Sequence, residues 1–199
     1  MIPMDADGED RPEEIKSFIE HVDFENDKTI VGERVKRSES SFFKICYQIH
    51  KIITLTFTGR SIKFGNYTCL PRSTVEKLIN EKATWSSFSG SLVKVSKERA
   101  TIPSKRGNRY FGPSKMSFIN LLKHSLAIIA VFKLNVLIRS ILFLMVYIFL
   151  TSQKLSIITF VPIILVILFV FAIFAISKRE SFDQLNSSLL NISSIDDLK

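Results

Sequence analysis

Met4-Asp5-Ala6-Asp7-Gly8-Glu9-Asp10-Arg11-Pro12-Glu13-Glu14 is the stretch from which the chain is best read. Two carboxylates stand one residue apart, and Glu9 adds a third. Pro12 then opens an amphipathic helix over 13–21, with Ile15, Phe18, Ile19 and Val22 on one face. Proline suits a first helical position, and acidic residues suit a first turn. An acidic loop feeding a helix can hold a divalent cation. Mg²⁺ takes oxygen ligands and commonly binds through one or two carboxylates plus substrate phosphates. Asp-x-Asp on an extended loop lets both carboxylates converge on one ion. Taken alone, the same three residues also suit a solvated acidic turn.

Further along, Arg106-Gly107-Asn108-Arg109-Tyr110-Phe111-Gly112-Pro113-Ser114-Lys115-Met116-Ser117 is basic and rich in turn formers. Arg and Lys are the usual partners of phosphate oxygens. A juxtamembrane cluster touching anionic lipid is the plainer alternative.

The C-terminal half decides where such a loop would act. Residues 117–132 predict an amphipathic helix with Phe118, Leu121, Leu122, Leu126 and Ile129 as its stripe, suited to a bilayer interface. Residues 134–150 carry one charge, Arg139, and 155–176 carry none. A span needs about 20 apolar residues, so the two form a membrane hairpin, turning at 151–154. Pro162 lies inside the second. Lys115, Lys123, Lys133 and Arg139 precede or open the hairpin, Lys178 and Arg179 follow it, and only Lys154 lies between. The positive-inside rule then places both ends in the cytoplasm.

Between the acidic string and the hairpin the elements are shorter. Thr29-Ile30-Val31-Gly32 predicts a strand. Residues 42–57 predict a helix, with Phe42, Cys46, Ile49, Ile53 and Thr56 at helical spacing and Phe43, Ile45 and Ile52 widening the stripe. Core packing is the default for that stripe, with membrane-surface contact as the alternative. Gly59 is its C-cap. Gly65-Asn66 marks a turn. Ser73 to Glu76 reads as a capping box, with a helix to about residue 81. Residues 93–102 read as a strand pair, or a strand and bend. Asn66-Tyr67-Thr68 matches a glycosylation acceptor only formally, because a cytosolic face makes it irrelevant.

The net charge is +8 and the pI is near 9.5, and 199 residues allow one domain plus appendages. Cys46 and Cys69 lack metal spacing, so free thiols in a reducing compartment are expected. His21, His50 and His124 are scattered and predict no zinc site.

The acidic string and the basic segment, in this order, resemble family 2 glycosyltransferases of the membrane-bound polyprenyl-phosphate type, like dolichol-phosphate mannose synthase. That family carries Asp-Ala-Asp, then Gln or Glu, then a Pro-Glu helix start. It later carries Arg-Tyr-x-Gly-x-Ser-Lys just before its membrane region. The resemblance implies an α/β fold: the C-terminal part of a GT-A-like nucleotide-sugar transferase domain over 1–113, an interfacial helix over 114–133, two transmembrane helices over 134–176 and a cytoplasmic tail over 177–199. It implies that Asp5, Asp7 and Glu9 bind Mg²⁺ or Mn²⁺ with the donor diphosphate. Arg34, Arg109, Ser114 and Lys115 match positions that contact donor or lipid phosphate. For Arg34 and the bases near it, a solvated charge run remains the alternative. The implied partners are a nucleotide-sugar donor, a polyprenyl phosphate or other lipid-linked acceptor, and a plasma or inner membrane, with no nucleic acid. The implied pathway is cell envelope glycan synthesis.

One departure matters. The family has a nucleotide-binding half before Asp-Ala-Asp, whereas four residues precede it here. The resemblance thus covers about residues 4–176 and implies an N-terminally truncated catalytic unit that lacks donor recognition and exposes a sheet edge. From another class, a non-catalytic membrane-anchored remnant or interaction protein binding anionic lipid is the competing expectation.

Overall fold

The structure is a computed structural model that describes residues 1–22, 27–34, 41–112, 117–153, 156–183 and 187. It is a mixed α/β assembly with a small sheet and a long apolar hairpin. A 3-10 turn, Pro12–Glu14, leads into α1, Ile15–Glu20. Then come β1 (Thr29–Arg34), α2 (Ser41–Thr58), β2 (Phe64–Cys69), α3 (Arg72–Ile79), α4 (Phe88–Val95), β3 (Arg99–Ser104), α5 (Phe118–Ala130), α6 (Lys133–Thr151) and α7 (Ile157–Ser177).

The sheet order is β2-β1-β3, antiparallel between β1 and β2 and parallel between β1 and β3. Alternation along a strand sends successive side chains to opposite faces. One face carries Ile30, Tyr67 and Ile102, packed on Phe18 of α1. The other carries Val31, packed with Leu70, Leu78 of α3 and Leu92 of α4. Phe18 is fully buried and meets Tyr67 edge to face, with ring centroids 4.7 Å apart. At the outer edge of β2 the Leu70 N–H donates to the Met1 carbonyl, and the Met1 ammonium donates to the Leu70 carbonyl, both at 2.8 Å.

Two local expectations change. Gly65-Asn66 lies inside β2, not at a turn, and stands where the register with β1 shifts between Val31 and Glu33, so the local turn preference is accommodated as a bulge in the strand. Ser73 does not cap α3. Pro71 occupies the N-cap without a side-chain bond, and the Ser73 hydroxyl bonds Asp27 instead. Residues 93–102 resolve into the end of α4, a bend and the start of β3.

α2 matches its expected span within a residue at each end, and Gly59 closes it at φ +71°. Its packing departs from the default. Ile45, Ile49, Ile52 and Leu55 are 60%, 51%, 63% and 52% exposed, three or four residues apart along one face. Thr54 and Thr58 take the buried side, each donating its hydroxyl to the carbonyl four residues earlier. α2 lies against the foot of α6: Arg139 donates to the Thr56 carbonyl and Asn135 to the Thr58 carbonyl.

α5 divides along its length. Phe118, Ile119 and Leu122 are exposed, whereas Ala127 to Ala130 are buried. Its buried end meets α4 so closely that a Cβ on Gly90 would come within 2.8 Å of Val131 Cγ2. α6 and α7 are each long and apolar enough to cross a membrane. Only 11% of each one's most apolar stretch is buried, unlike the core helix of a water-soluble domain. α7 continues through Pro162. At the foot of the hairpin Lys133 Nζ donates to Glu180 Oε2 at 2.8 Å.

Candidate functional site

The acidic string forms a tight loop. Gly8 takes φ +89°, a conformation open to glycine. The Glu9 N–H donates to Asp7 Oδ1, and the Asp5 N–H to Asp10 Oδ2, each at 3.0 Å. Asp10 is buried, so its carboxylate supports the turn from inside. The Asp5 side chain is exposed and has no bonding partner among the described residues.

The basic segment docks on this loop. The Gly107 N–H donates to the Glu9 carbonyl and the Tyr110 N–H to the Asp7 carbonyl, both at 2.9 Å. Glycine permits the approach on both sides. A Cβ at Gly107 would overlap the Gly8 carbonyl, and one at Gly8 would lie 2.8 Å from the Asn108 oxygen. Side chains then bridge the loops. Arg109 Nε donates to Glu9 Oε1 at 2.7 Å, and Arg109 Nη2 lies 3.1 Å from Asp7 Oδ2. Arg106 bonds the other Glu9 oxygen.

Neighbouring elements fix the base of the site. Glu14 accepts from the Ser104 hydroxyl at 2.7 Å and the Lys105 N–H at 2.8 Å, tying the helix start to the end of β3. The Tyr67 hydroxyl donates to the Arg11 carbonyl at 2.5 Å. Burial first, then the charges of Glu14 and Asp10, push the Tyr67 phenol up to about 12. It therefore stays a donor at physiological pH.

Burial pushes the Glu9 carboxyl upward, but hydrogen bonds from Arg106 and Arg109 outweigh it and hold the group below its ordinary value. The hydrogen bond to Glu9, above all, raises Arg109 in turn. Both groups stay charged across the physiological range.

Asp5, Asp7, Glu9 and Arg109 thus share one loop pair. Arg34 ends β1 beside Ser104 in register, though its side chain lies outside the described residues. Ser114 and Lys115 also lie outside them. Arg106, Gly107 and Glu14 were not singled out by sequence reasoning. Arg106 stood in the basic segment, but its partner Glu9 is 97 positions away.

Among the described residues no group of three or more His, Cys, Asp or Glu side chains forms a metal-type cluster. Both Glu9 oxygens accept from arginines, and Asp7 is engaged as well, with Oδ1 on the Glu9 N–H and Oδ2 against Arg109. Of the three carboxylates Asp5 alone is without a partner among the described residues; Mg²⁺ or Mn²⁺ at Asp5 and Asp7 requires Arg109 to leave Asp7, with substrate phosphate and water supplying the other oxygens. Comparisons with protein-family models, with curated proteins and with solved structures find no match.

Chemically, the loop pair sets a guanidinium beside an aspartate pair. Carboxylates can hold a divalent ion while the guanidinium takes phosphate oxygens.

Proposed function

We propose that the chain is a membrane-bound glycosyltransferase, or the C-terminal part of one, moving a sugar from a nucleotide-sugar donor to a polyprenyl phosphate or other lipid-linked acceptor. The observation that carries this reading is the docking of Arg106 and Arg109 onto the Asp5–Glu9 loop. It joins the two segments whose pairing the proposal requires.

In this reading Asp5 and Asp7 hold Mg²⁺ or Mn²⁺, and the ion supplies Lewis-acid neutralisation of the leaving diphosphate. Arg109 turns from Asp7 towards phosphate oxygens, while Glu9 keeps its guanidinium oriented. Lys115, Ser114 and Arg34 add phosphate contacts by family resemblance. A lipid phosphate is already an anionic nucleophile, so positioning and charge stabilisation carry the rate and no strong base is required. α6 and α7 span the membrane with both termini cytoplasmic. The exposed Ile45, Ile49, Ile52 and Leu55 face of α2 rests in the same bilayer, continuous with the hairpin through its contacts with Asn135 and Arg139.

The test is transfer of labelled sugar into the lipid phase, using membranes that contain the chain, Mg²⁺ or Mn²⁺, a panel of nucleotide sugars and polyprenyl phosphate. It is run on the chain itself and on the chain joined to any coding sequence that precedes Met1 in frame. Label in lipid, abolished by Asp7→Asn, is expected. Transfer unchanged by Asp7→Asn removes the metal role, and no transfer in either form overturns the proposal.

One observation favours a second reading. Asp7, Glu9, Arg106 and Arg109 satisfy one another's charges, as a purely structural strap would. A non-catalytic membrane-anchored protein then follows. In that case Asp7→Asn lowers thermal stability with no transfer to lose.

A further inference from the structure

The face of the sheet opposite α1 carries a second feature. Between the α2–β2 connection and the α4–β3 bend lies an open cavity of about 240 Å³. Ser61, Lys63, Glu33, Lys97, Arg99 and Thr101 line it. Strand alternation sets it apart from the acidic loop: Glu33, Arg99 and Thr101 point away from the face that carries Ile30, Ile102 and Ser104.

Its charge is unbalanced. Three bases meet one acid, and that acid, Glu33, lies 3.7 Å from Lys63. Lys97 and Arg99 have no carboxylate partner among the described residues. Arg99 is half-buried and donates to the Ser96 carbonyl, which fixes its guanidinium at the wall. The Ser61 and Thr101 hydroxyls have no hydrogen-bond partner among the described residues. A guanidinium, two ammoniums and two hydroxyls form a donor set for a tetrahedral oxyanion. The volume is below the roughly 300–1,000 Å³ typical of pockets for drug-sized ligands, so it suits a phosphate group and not a whole nucleotide sugar.

Its place in the fold narrows the source. Ser61 and Lys63 follow Gly59, against which the Arg139 guanidinium lies. Ile62 and Phe64 pack on Val131 and Phe132, just before α6 begins. The cavity therefore opens beside the first turns of a membrane-length helix.

We propose that this cavity is an anion site that binds a phosphate group, either the headgroup phosphate of an anionic lipid or that of a soluble phosphate ester. Burial, and then the charge of Arg60, push the Arg99 guanidinium below its ordinary value, and a bound anion relieves that cost. The site does not rest on the transferase reading, because it uses none of the residues of the acidic loop.

The test uses the full chain in phosphatidylcholine nanodiscs with EDTA, so that metal-dependent binding at Asp5 and Asp7 is silent. Pyrophosphate binding is followed by calorimetry. Lys97→Glu, on an exposed residue, is expected to weaken binding about tenfold, and Arg99→Gln by at least as much. Lys16→Gln on α1, which packs on the opposite face of the sheet, should leave it unchanged. If Arg99→Gln fails to fold, Lys97→Glu and Thr101→Val carry the test. Equal pyrophosphate affinity in wild type and Lys97→Glu, or no binding in wild type, overturns the site. Adding phosphatidic acid to the nanodiscs separates the sources. Competition with pyrophosphate in wild type but not in Lys97→Glu assigns the site to lipid, and no competition assigns it to soluble phosphate.

Discussion

Gly107 has little room for change. A side chain there would meet the Gly8 carbonyl, main chain that cannot swing aside. Gly107→Ala should cost about 1–3 kcal/mol, the usual range for overpacking. Urea unfolding of the detergent-solubilised chain measures it, and a loss under 0.5 kcal/mol, about the scatter of a neutral surface change, rejects the tight docking of the two loops. Glu9 adds a pH dependence. Its folded value lies below its unfolded one, so the stabilisation is present above about pH 4.5 and is lost as pH falls through the folded value. Thermal unfolding of wild type should drop over that acid range, and Glu9→Gln should flatten the drop. An equal drop in both means that Glu9 contributes nothing. At this scale the sequence was half legible. The carboxylates and Arg109 announced themselves by type and spacing. The 100-position separation between Glu9 and Arg109 hid the fact that they meet.

Among the elements, the helices with strong apolar patterns were the most legible. α2, α6 and α7 lie within about two residues of their expected ends, because hydrophobic period and length are local signals. The face that α2 buries was not legible. Ile49 and Ile53 share one stripe by spacing, yet Ile49 is exposed and Ile53 packs on the buried cluster of Ile129, Val136 and Ile173. Only the position of the hairpin settles which half of a wide stripe is covered. β2 was legible only in part, since Gly65 and Asn66 have no strand preference of their own and stand where its register with β1 shifts. The proposed seating of α2 in the interface predicts that an Ile52→Trp variant in a Trp85→Phe background is quenched by brominated lipid, and no quenching removes α2 from the bilayer. His50 and His124, on α2 and α5, give these helices an acid sensitivity. Burial holds both below their ordinary value, and the charge of His124 adds to the effect at His50. The folded state favours the neutral rings. Stability is therefore full above the unfolded value near pH 6.5 and falls as pH drops through the folded values. Protease protection of the α2–α5 region should weaken as pH falls below about 6.5, and His124→Gln should blunt that loss. Identical pH profiles would exclude the histidines as its source.

For the whole molecule the hairpin sets the frame. Lys133 and Glu180 clasp its two ends together, so whatever side one end occupies the other shares. A cysteine placed at Ser152 should react with an impermeant maleimide from outside the cell, and a fluorescent protein fused after Lys199 should report from the cytoplasm. Labelling of Ser152→Cys from the cytoplasmic side reverses the topology. The general plan, a small α/β body ahead of two apolar helices, was legible because charge and hydropathy change abruptly near residue 133. The sheet order was not, since strand pairing is non-local and six-residue strands carry little of it in their own residues.

Met1 bonds Leu70 through both its ammonium and its carbonyl, so the chain enters the molecule alongside the rim of β2. An exchange of both bonds between two residues marks an antiparallel pair, so the residues after Met1 head back towards β2, and a purification tag joined before it would face Pro71, which has no N–H, and the start of α3. Such a tag finds no ladder to join and leaves the outer rim of β2 as it is. Preparations tagged at opposite ends should therefore show the same self-association, and a difference between them means that the rim is not where the tag meets the fold.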